Sequence, residues 1–185
     1  FTFGPLEGRY RVQGNEITFT DLVRLEVRSP VEDLLYALGK SLTGAGALRL
    51  GQCVLPLRDL RSEDHYWFAA PLPVRMVSPL TLHKSLPGGK TRFLCPDDDA
   101  FAAQLAANTA HKLAACRSTA NPAITLRPAG TRLPRKRVTQ FKGIYLTGWD
   151  GDFLLDGDPE TLCLLYQIGL GDRNSQGFGM FRLLL

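Results

Sequence analysis

Histidine, methionine and tryptophan are scarce in this chain of 185 residues, at three, two and two copies, and its four cysteines form no CxxC pair. Cys53, Cys95, Cys116 and Cys163 lie 42, 21 and 47 residues apart, and no Cys/His pair has the spacing of zinc ligands. The expectation is therefore no metal, no cofactor, and thiols buried in a reducing, cytoplasmic setting. Long apolar runs are also missing. The apolar, charge-free stretch Thr161 to Gly171 is about half of the ~20 residues that a membrane-spanning helix needs. No basic-then-apolar leader follows Phe1. With 44% hydrophobic and 22% charged residues, disorder, collagen-like repeats and disulfide-dense mini-proteins are excluded.

What is present is unevenly distributed. Residues 127–149 carry a net charge of +6 with no acid among them, and residues 150–160 carry −5. The basic block contains Arg127, Arg132, Arg135, Lys136, Arg137 and Lys142. Such a block is an electrostatic footprint for a polyanion, set against the plainer reading of a solvated hairpin.

Alternation predicts strands over residues 9–13 and 16–27. A helix follows from Ser29-Pro30 to Gly39 or beyond, stopped by Gly44-Ala45-Gly46, and Leu48 to Leu60 reads as one more strand. The passage SEDHYWFAAPLP (62–73) is the expected boundary between a domain over residues 1–70 and another over 71–185. Beyond it, Leu72 to Leu82 reads as a strand, and Asp97, Asp98 and Asp99 as caps of a helix from Ala100 to Cys116 with Phe101, Leu105, Thr109 and Leu113 on one face. A short strand at 123–126 and a long one from Val138 to Trp149 come next. Gly151-Asp152 turns into residues 153–155, a helix runs from Glu160 to Ile168, and a last strand spans Gly177 to Leu184. Strand, helix, strand, strand, helix, strand is a split-βαβ, ferredoxin-like order. The first half fits the same order with its opening strand and helix removed, so a preceding segment is expected before Phe1.

The most distinctive stretch is IGLGDRNSQGFGMF, residues 168–181. Gly169, Gly171, Gly177 and Gly179 bracket a polar tip of Asp172, Arg173, Asn174, Ser175 and Gln176. Two readings stand side by side: backbone amides presented to phosphates, or a tight helix-to-strand joint with Gly169 as its cap and Gly179 as a bulge. A dinucleotide fingerprint fails because position 174 is Asn and the segment follows a helix; a Walker loop fails for want of Gly-Lys-Ser/Thr. Phe178 and Phe181 could stack on bases or fill a core. Of the histidines, His65 suits a surface or packing role and His111 a helix face. His83, followed by Lys84, is a possible polyanion contact.

These residues resemble a family. GLGDRNSQGFGMF after a short helix, with FTFGPLEG, VRSPVEDLL and VRMVSPLTL upstream, is similar to the CRISPR-associated (Cas) repeat-RNA endoribonucleases across essentially the whole chain. The resemblance implies an α+β fold of tandem ferredoxin-like domains, the first truncated at its start. It also implies binding of CRISPR repeat RNA and metal-independent cleavage by 2′-hydroxyl attack, leaving a 2′,3′-cyclic phosphate. The family's usual catalytic histidine lies on a helix that would precede Phe1, so the resemblance assigns no catalytic residue here. A non-catalytic guide-RNA-binding subunit and a structural module of a CRISPR assembly stay open beside the nuclease. The expected RNA-binding residues are Arg132, Arg135, Lys136, Arg137 and Lys142 with Gly169, Gly171, Arg173, Asn174, Ser175, Gln176, Gly177, Phe178 and Gly179; His83 and Lys84 are possible contacts. Other Cas proteins, or a missing amino-terminal segment, are the further expected partners, and no membrane is.

Overall fold

The computed structural model describes residues 1–63, 68–130, 132–141 and 143–184. The described residues form an α+β fold of three helices and antiparallel sheets. Its first portion contains β1 (Thr2–Phe3), the hairpin β2 (Tyr10–Gln13) and β3 (Glu16–Phe19), β4 (Val27–Arg28), α1 (Glu32–Ala45), and the hairpin β5 (Ala47–Leu50) and β6 (Cys53–Pro56). The remainder contains β7 (Leu72–Met76), the hairpin β8 (His83–Ser85) and β9 (Thr91–Phe93), α2 (Phe101–Ala115), β10 (Ile124–Pro128), β11 (Arg135–Phe141), β12 (Ile144–Asp150), β13 (Asp152–Gly157), α3 (Pro159–Ile168) and β14 (Phe181–Leu183). No described helix is long and apolar enough to cross a membrane.

The sequence explains most of these boundaries. Asp158 caps α3, its Oδ1 accepting from the amides of Glu160 and Thr161, with Pro159 in the first turn. Gly46 ends α1 at a φ of 64°, in the left-handed region where glycine meets no Cβ clash. Along α2 the buried residues are Phe101, Leu105, Thr109 and Leu113, the face that their spacing predicts.

Several expectations need correction. Leu48 to Leu60 is not one strand, because the chain turns at Gly51 (φ 60°) and makes the β5–β6 hairpin. The long strand expected over Val138 to Trp149 is two strands, β11 and β12, closed at Gly143 (φ 80°). Residues 16–27 likewise break after Phe19. The first helix starts two residues after Pro30, at Glu32, with the Ser29 hydroxyl accepting from the Val31 amide. Asp98 does not cap a helix amide: its Oδ2 accepts from the Cys95 amide and its Oδ1 takes Arg92. The thiols are not buried as expected, since Cys53 and Cys116 are exposed and Cys95 and Cys163 half-buried.

A four-stranded antiparallel sheet in the order β10-β13-β7-β14 carries the core. Leu72, Val74 and Met76 alternate inward along β7, as a pleated strand with one covered face requires. They join Ile124, Phe153, Leu155 and Phe181 against Phe101 and Leu105 of α2 and Leu162, Leu165 and Ile168 of α3. On the sheet's other side, Arg75 makes two hydrogen bonds of 2.7 and 2.8 Å to the buried Asp152 carboxylate directly across the strands. Among the described residues, every fully buried apolar side chain lies at or beyond Phe68. The first portion leans on this core through Arg28. Its Nη1 donates to the carbonyls of Phe181 (2.7 Å) and Tyr166 (3.2 Å), its guanidinium lies 3.7 Å over the Tyr166 ring, and it pairs with Glu26.

Candidate nucleic-acid interface

The basic block forms one strand of a protruding ribbon. β11 and β12 pair in register from Arg135 opposite Asp150 to Phe141 opposite Ile144. Arg132, Arg135, Lys136 and Arg137 are all exposed. The strand's two-residue period puts Arg135 and Arg137 on one face and Lys136 on the other. Arg137 is partly neutralised by Asp150, 2.7 Å from its Nε. Arg132, Arg135 and Lys136 have no acidic partner among the described residues. The ribbon is rooted by buried Leu146 and Trp149, and Trp149 and Leu80 exchange backbone hydrogen bonds of 2.8 Å in both directions. Lys142 lies outside the described residues, as does His65.

The glycine segment is a joint. The amides of Gly169, Leu170, Asp172, Gln176, Gly177 and Gly179 donate to Leu165, Gly179, Thr81, Arg173, Asn174 and Pro79 respectively. Asn174 ties its two ends together, Nδ2 donating to the carbonyls of Leu170 (2.9 Å) and Phe178 (3.0 Å). A Cβ on Gly179 would sit 1.9 Å from the Leu170 carbonyl oxygen, and one on Gly171 2.3 Å from that of Thr81. Both residues have positive φ, so packing and backbone conformation each demand glycine. Gly169, Gly171, Phe178 and Gly179 are buried, Gly177 lies against the Phe3 ring, and Arg173 and Asn174 are half-buried; Ser175 and Gln176 are the exposed tip. Of the two readings of these glycines, the geometry carries the joint. Phe178 and Phe181 fill the interior, and Phe181 meets Tyr166 edge-on with ring centroids 5.7 Å apart.

The ribbon and the joint are mounted on one short segment. Leu80 bonds to β12, and the Thr81 hydroxyl donates to the Thr147 carbonyl (2.8 Å), while the Thr81 carbonyl accepts from Asp172 of the joint (2.7 Å). His83 ends this segment. Its ring Nδ1 lies 2.5 Å from Asp172 Oδ2, its amide donates to the same oxygen at 2.9 Å, and Asn108 Nδ2 donates to Asp172 Oδ1 at 2.8 Å. The expected grouping of His83 with Lys84 is not what the structure brings together: Lys84 and Arg92 face each other across the hairpin on the side opposite His83 and Phe93. One turn along α2 from Asn108, Lys112 donates to the Gly169 carbonyl at 2.7 Å. Burial pushes its pKa down to about 7, with the charges of Asp172 and Cys116 opposing the fall. A pocket of about 310 Å³ opens beside it, lined by Phe1, Lys112, Cys116, Ile168, Arg173 and Ser175 among others. His111 is exposed on α2, as its helix-face reading had it.

The sequence does not join His83 to Asp172, and it leads to a loop after Leu82 where the structure has the strand β8. The two are 89 residues apart, and no local period relates them. Among the described residues, no three His, Cys, Asp or Glu side chains gather as metal ligands.

Comparison with known proteins places this geometry. The family model described as CRISPR associated protein Cas6, C-terminal, matches residues 67–183. A solved structure described as an RAMP protein binding different RNA substrates superposes with a TM-score of 0.83 at 19% identity, covering 100% of this chain and 79% of that one. One described as CRISPR associated protein Cas6 gives 0.78 at 23% identity, with 100% and 78% covered. The product of a Cas6-related gene from Pyrococcus furiosus gives 0.79 at 16%, with 99% and 77% covered. No curated protein matches. At these identities the structural likeness is one of fold.

Proposed function

Because the chain belongs to the Cas6 family of CRISPR-associated proteins, we propose that it binds CRISPR repeat RNA along the β11–β12 ribbon and takes part in processing it. The observation that carries this reading is the ribbon itself: Arg132, Arg135 and Lys136 exposed together, with no acidic side chain to neutralise them among the described residues. Phosphates laid along such a strand release counterions, which gives affinity with a steep salt dependence, and Arg135 has the planar fork that grips phosphate or a guanine edge. The exposed Ser175 and Gln176, with Arg173 beside them, supply further hydrogen-bond donors.

Processing in this reading is metal-independent. The ribose 2′-hydroxyl attacks the adjacent phosphate, the 5′ oxygen leaves, and a 2′,3′-cyclic phosphate remains. The fold is read as tandem ferredoxin-like units meeting near residue 70. In support, the carboxyl-terminal unit runs β7, α2, β10, β13, α3, β14 with sheet order β10-β13-β7-β14. Counted within the unit that order is 2-3-1-4, the split-βαβ arrangement.

The test is a salt titration of binding to labelled repeat RNA, followed by cleavage with a chelator present. Tight, steeply salt-dependent binding and a cyclic-phosphate product support the reading. Binding without cleavage makes the chain a guide-RNA-binding subunit, and a flat salt profile with weak binding makes it a structural module.

A further inference from the structure

We propose that Tyr145 is a base-stacking residue of the β11–β12 ribbon, on which an unpaired base of the bound RNA lies, so that the ribbon recognises repeat RNA in its single-stranded form. The inference rests on the reading that the ribbon binds repeat RNA, and names the form of RNA that it takes.

Strand register decides which way the tyrosine points. Residues directly opposite each other in an antiparallel pair project to the same side. Tyr145 is opposite Gln140, Thr147 opposite Val138, and Trp149 opposite Lys136. The other side carries Arg135, Arg137, Leu146, Gly148 and Asp150. That other side meets the core: Leu146 is buried, and a Cβ on Gly148 would lie 2.9 Å from the Leu80 carbonyl oxygen. Beyond buried Trp149, the side with Tyr145 therefore opens to solvent, and Lys136, Val138 and Gln140 on it are all exposed. Tyr145 keeps 66% of its surface exposed, and among the described residues none makes a hydrogen bond or an aromatic contact with its side chain. The ring adds nothing to the packing of the fold.

Charge and chemistry name the occupant. Among the described residues, Lys136 is the one charged group on the tyrosine's side, and the carboxylate of the ribbon, Asp150, lies on the other side, 2.7 Å from Arg137 Nε. An exposed ring beside an ammonium with no acidic partner and a primary amide fits a nucleotide. The base covers the ring, its edge meets the Gln140 amide, and phosphate meets Lys136. Lys136 and Gln140 are four residues apart on one strand, about 14 Å at ~3.4 Å per residue, so a short stretch of one RNA strand reaches both. A base lies on such a ring only when it has left its own helical stack. Paired RNA therefore passes Tyr145 by.

The experiment measures the affinity of the full chain for repeat RNA as a single strand, and for the same RNA annealed to its complement, over a salt series. Tyr145→Ala is expected to weaken binding of the single strand by about 5 to 150-fold, the worth of one base–aromatic stack. The slope of log affinity against log salt should not change, because no phosphate contact is lost. Affinity for the annealed duplex should stay native, and Tyr145→Phe should bind the single strand as the native chain does. Tyr145→Trp serves if the alanine variant melts early: the added indole emission should be quenched by the single strand and not by the duplex. Native-like binding of the single strand by Tyr145→Ala, an equal loss on both forms, a loss in Tyr145→Phe as large as in Tyr145→Ala, an unquenched indole, or native binding of the duplex alone overturns the inference and leaves the binding proposal standing. A native chain that binds neither form overturns both.

Discussion

Single residues decide how the joint holds. A methyl group added at Gly179 would overlap the Leu170 carbonyl oxygen at 1.9 Å and the Asn174 amide at 2.5 Å, at a φ of 76°. Left-handed strain and overpacking each cost on the order of 1–3 kcal/mol. Gly179→Ala should therefore lose more than about 2 kcal/mol in a denaturant melt. Lys112 gives a second, pH-dependent prediction. Its folded pKa of about 7 lies below the ordinary value of 10.5 because burial disfavours the ammonium. Between those values the unfolded chain holds a proton that the folded chain has released, so stability gains as pH rises from 7 toward 10. Below 7 both states are protonated and the gain ends. Lys112→Met should remove that slope, read as the pH dependence of the difference in unfolding free energy between native and variant. Glycine clustering could be read from the sequence, but its purpose could not, since the atoms that exclude a Cβ at Gly171 belong to Leu80 and Thr81.

At the scale of elements, periodic signals carried where one face meets the core and failed where none does. The buried face of α2 follows from its spacing, and the start of α3 follows from Asp158-Pro159. Val138 to Trp149 reads as one strand because β11 is exposed along Arg135 to Gln140, so no inward alternation marks where β11 ends and β12 begins. The one local signal is Gly143, at a φ of 80°. Nonetheless the ribbon is the element most open to test. Arg135→Ala with Lys136→Ala removes two cations that support no packing, so the melting temperature should stay near native. Repeat-RNA affinity should fall, and the slope of log affinity against log salt should flatten by about 1 for each phosphate no longer neutralised. An unchanged slope would make the ribbon a solvated face. The His83–Asp172–Asn108 cluster belongs to a different class of feature: it spans β8, α2 and the joint, and only the assembled fold brings those together.

For the whole molecule, the junction between the first portion and the core carries an ionic cluster beside the contact of Phe3 with Gly177. Arg28 is 8% exposed, and Arg182 reaches Glu7 and Glu26 at 2.9 Å each. Burial alone would raise the pKa of Glu26, but Arg28 and Arg182 outweigh it and hold the carboxyl below its ordinary 4.5. That stabilisation is complete above pH 4.5 and disappears as acid protonates Glu26. Acid titration should therefore loosen the first portion before the core melts, seen as early amide exchange at β1 and β4. Arg28→Met removes one of the two arginines that hold Glu26 and the donor to two carbonyls at once, and with Arg182 still on Glu26 it should cost about 1–3 kcal/mol in a denaturant melt.

The placement of all the fully buried apolar side chains at or beyond Phe68 also has a temporal side. Synthesis delivers a chain from its amino end, so the first sixty or so residues leave the ribosome before the surface that supports them exists. Translation must run to Phe181, the strand residue whose carbonyl receives Arg28, before that contact can form. The hold that Arg28 has on the core is therefore among the last to close as the chain is made.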